Sequence, residues 1–243
     1  MTPIEAIQSA QRASLVDEDG ESVSISLQPG LPPDRIEALE RETGIPLPAE
    51  LKSLLAFCSG IEGAALDWID FTGASGSVGA EDILPHGLPI AGDGFGNFWM
   101  LDLTPRTTEI APVFYHCHDA PVVLFQSPDL ATFLVEVFRM STPSHQSLVD
   151  DVHEDRLFEV WRKNPGVLDQ PATAASPDPV LRAFAASLPA HFQLVDLREA
   201  RPGMGFSWGR YGPRTEVRRH GDERIFAYAK PPLTGFLARW FSR

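Results

Sequence analysis

Residues 89–103 read PIAGDGFGNFWMLDL, three glycines at alternate positions running straight into an apolar segment. Glycines so spaced either cradle a phosphate or turn the chain, and their neighbours decide which. A phosphate loop needs Gly-Lys-Ser/Thr opening a helix, and a dinucleotide fingerprint needs a strand before its glycines and a helix after them. Here the glycines lead into Phe98-Trp99-Met100-Leu101, a strand-like run; no Lys or Arg is near, and Asp93 repels phosphate. The stretch is therefore a glycine turn feeding a strand, and the nucleotide-dependent enzymes lose their main support.

The flanking sequence extends this strand pattern. Asp67-Trp68-Ile69-Asp70-Phe71 alternates as a strand does, followed by the GASGSVG loop and a short Ala80–Leu84 element. Val113-Phe114-Tyr115-His116, a turn near His118-Asp119-Ala120 and Val122-Val123-Leu124-Phe125 continue as antiparallel hairpins. Helices bracket the strands. Pro32-Pro33-Asp34 opens one that Gly44 ends, and a Pro46/Pro48 elbow restarts a second at Ala49, with Leu51, Leu54, Leu55 and Cys58 on one face and Gly60 as its stop. Ser127-Pro128-Asp129 caps a third, whose Leu130, Phe133, Leu134, Val137 and Phe138 share a face, and an acidic helix spans Val149–Lys163.

Asn164 to Pro179, NPGVLDQPATAASPDP, has the composition of a linker. Beyond it come a helix near Val180–Ser187 and strand segments Phe192–Leu197, Met204–Trp208, Thr215–Arg219 and Arg224–Tyr228, the last two joined by a turn at His220-Gly221-Asp222. An apolar stripe of Leu233, Phe236, Leu237, Trp240 and Phe241 follows. The expected organisation is a domain over residues 1–163, a linker over 164–179 and a small α+β segment over 180–243. A chain of 243 residues buries such a core without disulfides. The N-terminus lacks the basic flank and apolar core of a secretory signal, and no membrane-span run occurs, so a cytoplasmic protein is expected.

Charge divides the chain in the same place. Residues 1–179 carry 9 Lys and Arg against 28 Asp and Glu, whereas residues 180–243 carry 11 against 5. The acidic part suits a basic protein partner and not nucleic acid. Arg210, Arg214, Arg218, Arg219 and Arg224, with Trp208 and Tyr211, suit contact with nucleic acid or a membrane, or docking on the acidic body of the same chain or of a second copy; tethering favours docking within the chain.

Taken in order, LPPDRIEALERETGIPLPAELKSLLAFCSGIEG, PIAGDGFGNFWMLDL, APVFYHCHD and SPDLATFLVEVF resemble the SUKH superfamily, over about residues 31–139. The resemblance implies an α+β fold, a twisted and largely antiparallel sheet flanked by helices. It also implies a non-catalytic protein that occupies and blocks a cognate toxin, nucleases among them, or a regulatory scaffold of the kind found in fungi. Ser59-Gly60 departs from the Asn-Gly usual in such sequences, and nothing after about residue 150 resembles the family.

Candidate residues follow from both readings. Trp68, Asp70, Asp93, Asn97 and Trp99 lie on or beside the hairpins and have the aromatic and acidic character of an interface for a basic partner; Glu62, Asp67 and Asp102 are weaker candidates. His116 and His118 share a strand face, and an imidazole pair is the start of a metal site and of the rival enzyme or metal-protein reading, but further ligands at recognisable spacing are missing. Cys58 lies on an apolar face as an inert thiol, and no Gly-x-Ser-x-Gly elbow occurs. No catalytic residue, metal or cofactor is assigned.

Overall fold

The computed structural model describes residues 1–44, 46–74, 79–104, 111–212 and 214–231. The expected stripe from Leu233 to Phe241 and part of the GASGSVG loop lie outside them. Helix α1 (Pro3–Arg12) starts on a capping box, in which Thr2 Oγ1 accepts the Glu5 N–H at 3.2 Å and the Glu5 carboxylate accepts the Thr2 N–H at 2.7 Å. Helices α2 (Pro33–Thr43) and α3 (Ala49–Phe57) form the expected pair, with Gly44 in the left-handed conformation closing the first. The elbow between them is clamped by Glu40, whose Oε1 accepts the Leu47 N–H at 2.8 Å and meets Lys52 Nζ at 2.6 Å. Helix α4 (Leu130–Met140) is capped as expected by Asp129, which accepts the Thr132 N–H at 2.6 Å.

Strands β1 (Leu15–Val16) and β2 (Ser22–Val23) make a separate ribbon. The main sheet uses β3 (Ser26–Pro29), β4 (Cys58–Glu62), β5 (Trp68–Asp70), β6 (Gly87–Gly92), β7 (Phe98–Asp102), β8 (Val113–Cys117) and β9 (Val122–Ser127). From β4 to β9 it is an antiparallel meander. One expectation is corrected at β4. Residues Cys58 and Gly60 belong to a strand, not to the end of α3, because pairing with β3 on one side and β5 on the other outweighs another helical turn.

The expected acidic helix is realised in three pieces: α5 (Leu148–Asp150), a π-helical turn (Asp151–Arg156) and α6 (Leu157–Lys163). The stretch 164–179 is not a plain linker. It contains β10 (Leu168–Asp169) and α7 (Gln170–Thr173), and Asp178 caps α8 (Pro179–Ala186). Two of its prolines, Pro171 and Pro179, sit in the first turns of α7 and α8, where a missing N–H costs nothing. Strands β11 (Phe192–Asp196), β12 (Gly205–Phe206), β13 (Val217–Arg219) and β14 (Ile225–Ala229) follow, with the last two joined at the expected His220-Gly221-Asp222 turn.

The eight-stranded sheet has the order β12-β9-β8-β7-β6-β5-β4-β3, so a C-terminal strand completes its edge. The four-stranded sheet, β10-β11-β14-β13, packs on one face of it. Met100, Phe114, Val123, Phe125 and Phe206 of the first sheet meet Val195, Phe226 and Tyr228 of the second there. On the opposite face, Trp99, Leu101, Tyr115 and Leu124 pack against α1, α3 and α4. Helix α8 covers the outer face of the second sheet through Leu181, Phe184 and Ala185. Coverage of both faces explains why β7, β8 and β9 are nearly continuous apolar runs rather than clean alternations.

Candidate functional site

The β6–β7 turn is held from within. Asp93 Oδ1 accepts the N–H groups of Phe95 at 2.9 Å and Asn97 at 3.2 Å, and its Oδ2 accepts from Asn97 Nδ2 at 2.7 Å. Asn97 Oδ1 in turn accepts the His118 N–H at 3.2 Å, tying the turn to the end of β8. Gly94 and Gly96 take φ values of +77° and +87°, which a side chain resists. At Gly92 the reason is proximity, since a Cβ there would lie 2.4 Å from Trp68 Nε1.

This frame presents Phe95, which is 81% exposed. Around it lie the exposed Asp67 beside Gly94, His118 beside Gly96, and Asp119, whose carboxylate is 3.2 Å from His118 Nε2. A rigid apolar tip in an acidic setting results. Sequence reasoning missed Phe95; the available signal was Gly-Phe-Gly inside a turn, where an aromatic residue has no core to enter.

The predicted residues separate by place. Trp68 is half-buried, over Gly92 and 6.0 Å from the Phe98 ring. Asp70 is half-buried and accepts from the Thr72 N–H at 2.8 Å and hydroxyl at 2.6 Å. Asp93 and Asn97 build the turn. Trp99 is corrected to a core residue: its side chain has no exposed area, its Nε1 donates to Gln126 Oε1 at 3.0 Å, and it packs on Tyr115 and Phe133. Of the weaker candidates, Glu62 is exposed on β4, whereas Asp102 is buried.

His116 and His118 sit in different surroundings, one buried and the other exposed. His116 is buried between the sheets, stacks on Trp208 at 5.9 Å, and neither ring nitrogen has a hydrogen-bond partner among the described residues. Burial foremost, and then the nearby His118, pulls its pKa down to about 4, so the ring is neutral near pH 7. His118 is exposed, its Nδ1 lying 3.1 Å from Asn97 Oδ1. Among the described residues no third His, Cys, Asp or Glu groups with the two histidines as a metal-holding set. Cys58 is buried, with its thiol pushed up to about 11, which keeps it protonated and unreactive.

The basic segment is largely engaged inside the chain. Arg219 makes a two-pronged contact with Asp102, at 2.8 and 3.1 Å, with the side chains 5% and 0% exposed. Arg210 donates to the Arg162 carbonyl at 2.8 Å, and Arg198 bridges Asp178 and Asp196 at 2.6 and 2.7 Å. Arg224 donates to the Arg198 carbonyl and lies over the Phe125 ring. Arg218 pairs locally with Glu216 at 2.7 Å.

Among the described residues no helix is long and apolar enough to cross a membrane. No curated protein matches the chain. The SMI1 / KNR4 family (SUKH-1) matches residues 30–136, which run from the start of the α2–α3 pair, through the meander and the Phe95 turn, into α4. With the α+β fold and its antiparallel meander, this match makes the 30–136 region a domain of the SUKH superfamily.

Proposed function

We propose that this chain is a non-catalytic protein-binding module, an immunity protein that blocks a cognate basic toxin in the cytoplasm, with the Phe95 turn anchoring the contact. Phe95 carries this reading. An aromatic side chain held 81% exposed on a turn already fixed by Asp93 has little entropy to lose on binding, as interface anchors require. Asp67 and Asp119 beside it complement a basic partner, and half-buried Trp68 extends the apolar patch. A nuclease is the toxin type that fits best, because its groove is basic and an acidic surface competes there with phosphate. The family match supports a protein partner. The neutral, enclosed His116 and the protonated Cys58 support a binding role over catalysis.

Co-expression with the product of a neighbouring toxin-like gene, followed by affinity capture, tests the proposal. A stable complex that suppresses the toxin's activity is expected. Capture of a housekeeping protein in its place would favour a regulatory scaffold, and failure to form any stable complex would contradict the binding reading itself.

A further inference from the structure

The π-helical turn between α5 and α6 lies far from Phe95 in sequence and has no part in the proposed contact. It brings Asp150, His153 and Glu154 to one side, with one ligand-type atom from each within 4.8 Å of the others. Such turns insert an extra residue into a helix and recur at functional positions. Glu154 and Asp150 also line a cavity of about 700 Å³, which Asp17, Glu18 and Asp19 from the β1–β2 connection line as well. Five carboxylates around one concavity focus a negative potential that favours a cation.

The imidazole separates this cluster from an ordinary acidic patch. His153 Nδ1 lies 2.9 Å from the Val149 carbonyl oxygen, which only accepts, so Nδ1 carries the hydrogen and Nε2 of the neutral ring carries the lone pair. A carbonyl behind one ring nitrogen is the usual orienting partner of a metal-binding histidine. The ring is fixed further by the edges of Trp99 at 5.6 Å and Tyr115 at 6.0 Å. Nε2 has its nearest carboxylate oxygen, Glu154 Oε1, at 3.9 Å, beyond hydrogen-bond length. Nε2 and the two carboxylates stand wider apart than the roughly 3.3 Å between two ligand atoms of a tetrahedral zinc, so the exposed Glu154 side chain must swing inward to close the set.

We infer that Asp150, His153 and Glu154 bind a divalent transition-metal cation of the zinc class, with a fourth position open to the acidic cavity. One nitrogen and two oxygen donors suit such an ion, whereas calcium and magnesium take oxygen sets. Three protein ligands leave room for water or for a side chain of a bound partner.

Calorimetric titration of the full chain with Zn²⁺ at pH 7 is expected to show one equivalent bound. His153→Ala and Glu154→Gln each weaken it more than tenfold, and His118→Ala leaves it unchanged. Glu154 is exposed, so Glu154→Gln keeps the fold even if the histidine variant loses stability. Co²⁺ in place of Zn²⁺ is expected to give visible d–d absorption that His153→Ala abolishes. Absence of Zn²⁺ binding, binding that survives both variants, or Ca²⁺ bound as tightly as Zn²⁺ would each overturn the inference.

Discussion

The β6–β7 turn and the joint between the two sheets are built from the same residue types, aromatic and charged, and use them in opposite ways. In the joint, Asp102 and Arg219 neutralise each other, Arg224 reaches a carbonyl across the Phe125 ring, and Phe206, Phe226 and Tyr228 are fully buried. In the turn, Asp93 is spent on backbone and Asn97 groups, and Phe95 is left in water. The uneven charge of the sequence therefore points to an internal fit more than to a basic binding tail. An exposed aromatic on a fixed turn is the better mark of a partner surface, since Phe95 stays 81% exposed among the described residues.

The largest expected effect lies in the joint. Arg219→Ala leaves Asp102 as a buried charge without its cation and is expected to cost about 3–5 kcal/mol in urea unfolding. Replacing both residues by apolar ones of similar volume should recover much of that loss. A cost below about 1 kcal/mol for Arg219→Ala would mean that the second sheet is not held as described.

Next comes the pH response of the same joint. His116 binds a proton near pH 6.5 when unfolded but only near pH 4 when folded, so its contribution is complete above pH 6.5 and is lost as pH falls through about 4. Unfolding free energy should drop over that window by roughly 2–3 kcal/mol more in the native chain than in His116→Phe, measured by denaturant titration at each pH. Equal slopes would break this assignment.

Asn164 offers a smaller and more local probe. It takes φ +48°, donates to the Tyr228 hydroxyl at 2.6 Å and accepts the Ser207 N–H at 2.9 Å. Asn164→Ala should cost about 2 kcal/mol, and Asn164→Gly somewhat less, because glycine keeps the backbone while losing both bonds. The smallest effect on stability belongs to the turn: Phe95→Ala should shift unfolding by less than about 0.5 kcal/mol in the same assay.

What the sequence made legible was mostly local. Gly44, Asp129 and the His220 turn act on residues within a few positions, and the order of helix pair, meander and capped helix carried the family resemblance. What escaped depends on distant partners. Cys58 follows helical spacing yet extends as a strand because β3 and β5 flank it. The Pro-rich 164–179 stretch resembles a linker until β11 pairs with it and Arg198 reaches Asp178. Trp99 and Phe95 lie four residues apart in one hairpin, one in the core and the other in solvent, and only packing on α4 and the sheet distinguishes them. The Asp102–Arg219 pair spans 117 residues of sequence and leaves no local trace.

Calorimetry of the captured partner against the native chain and against Phe95→Ala tests the central claim most directly. The account predicts at least tenfold weaker binding by the variant with an unchanged melting temperature. Equal affinity in the two proteins would contradict it.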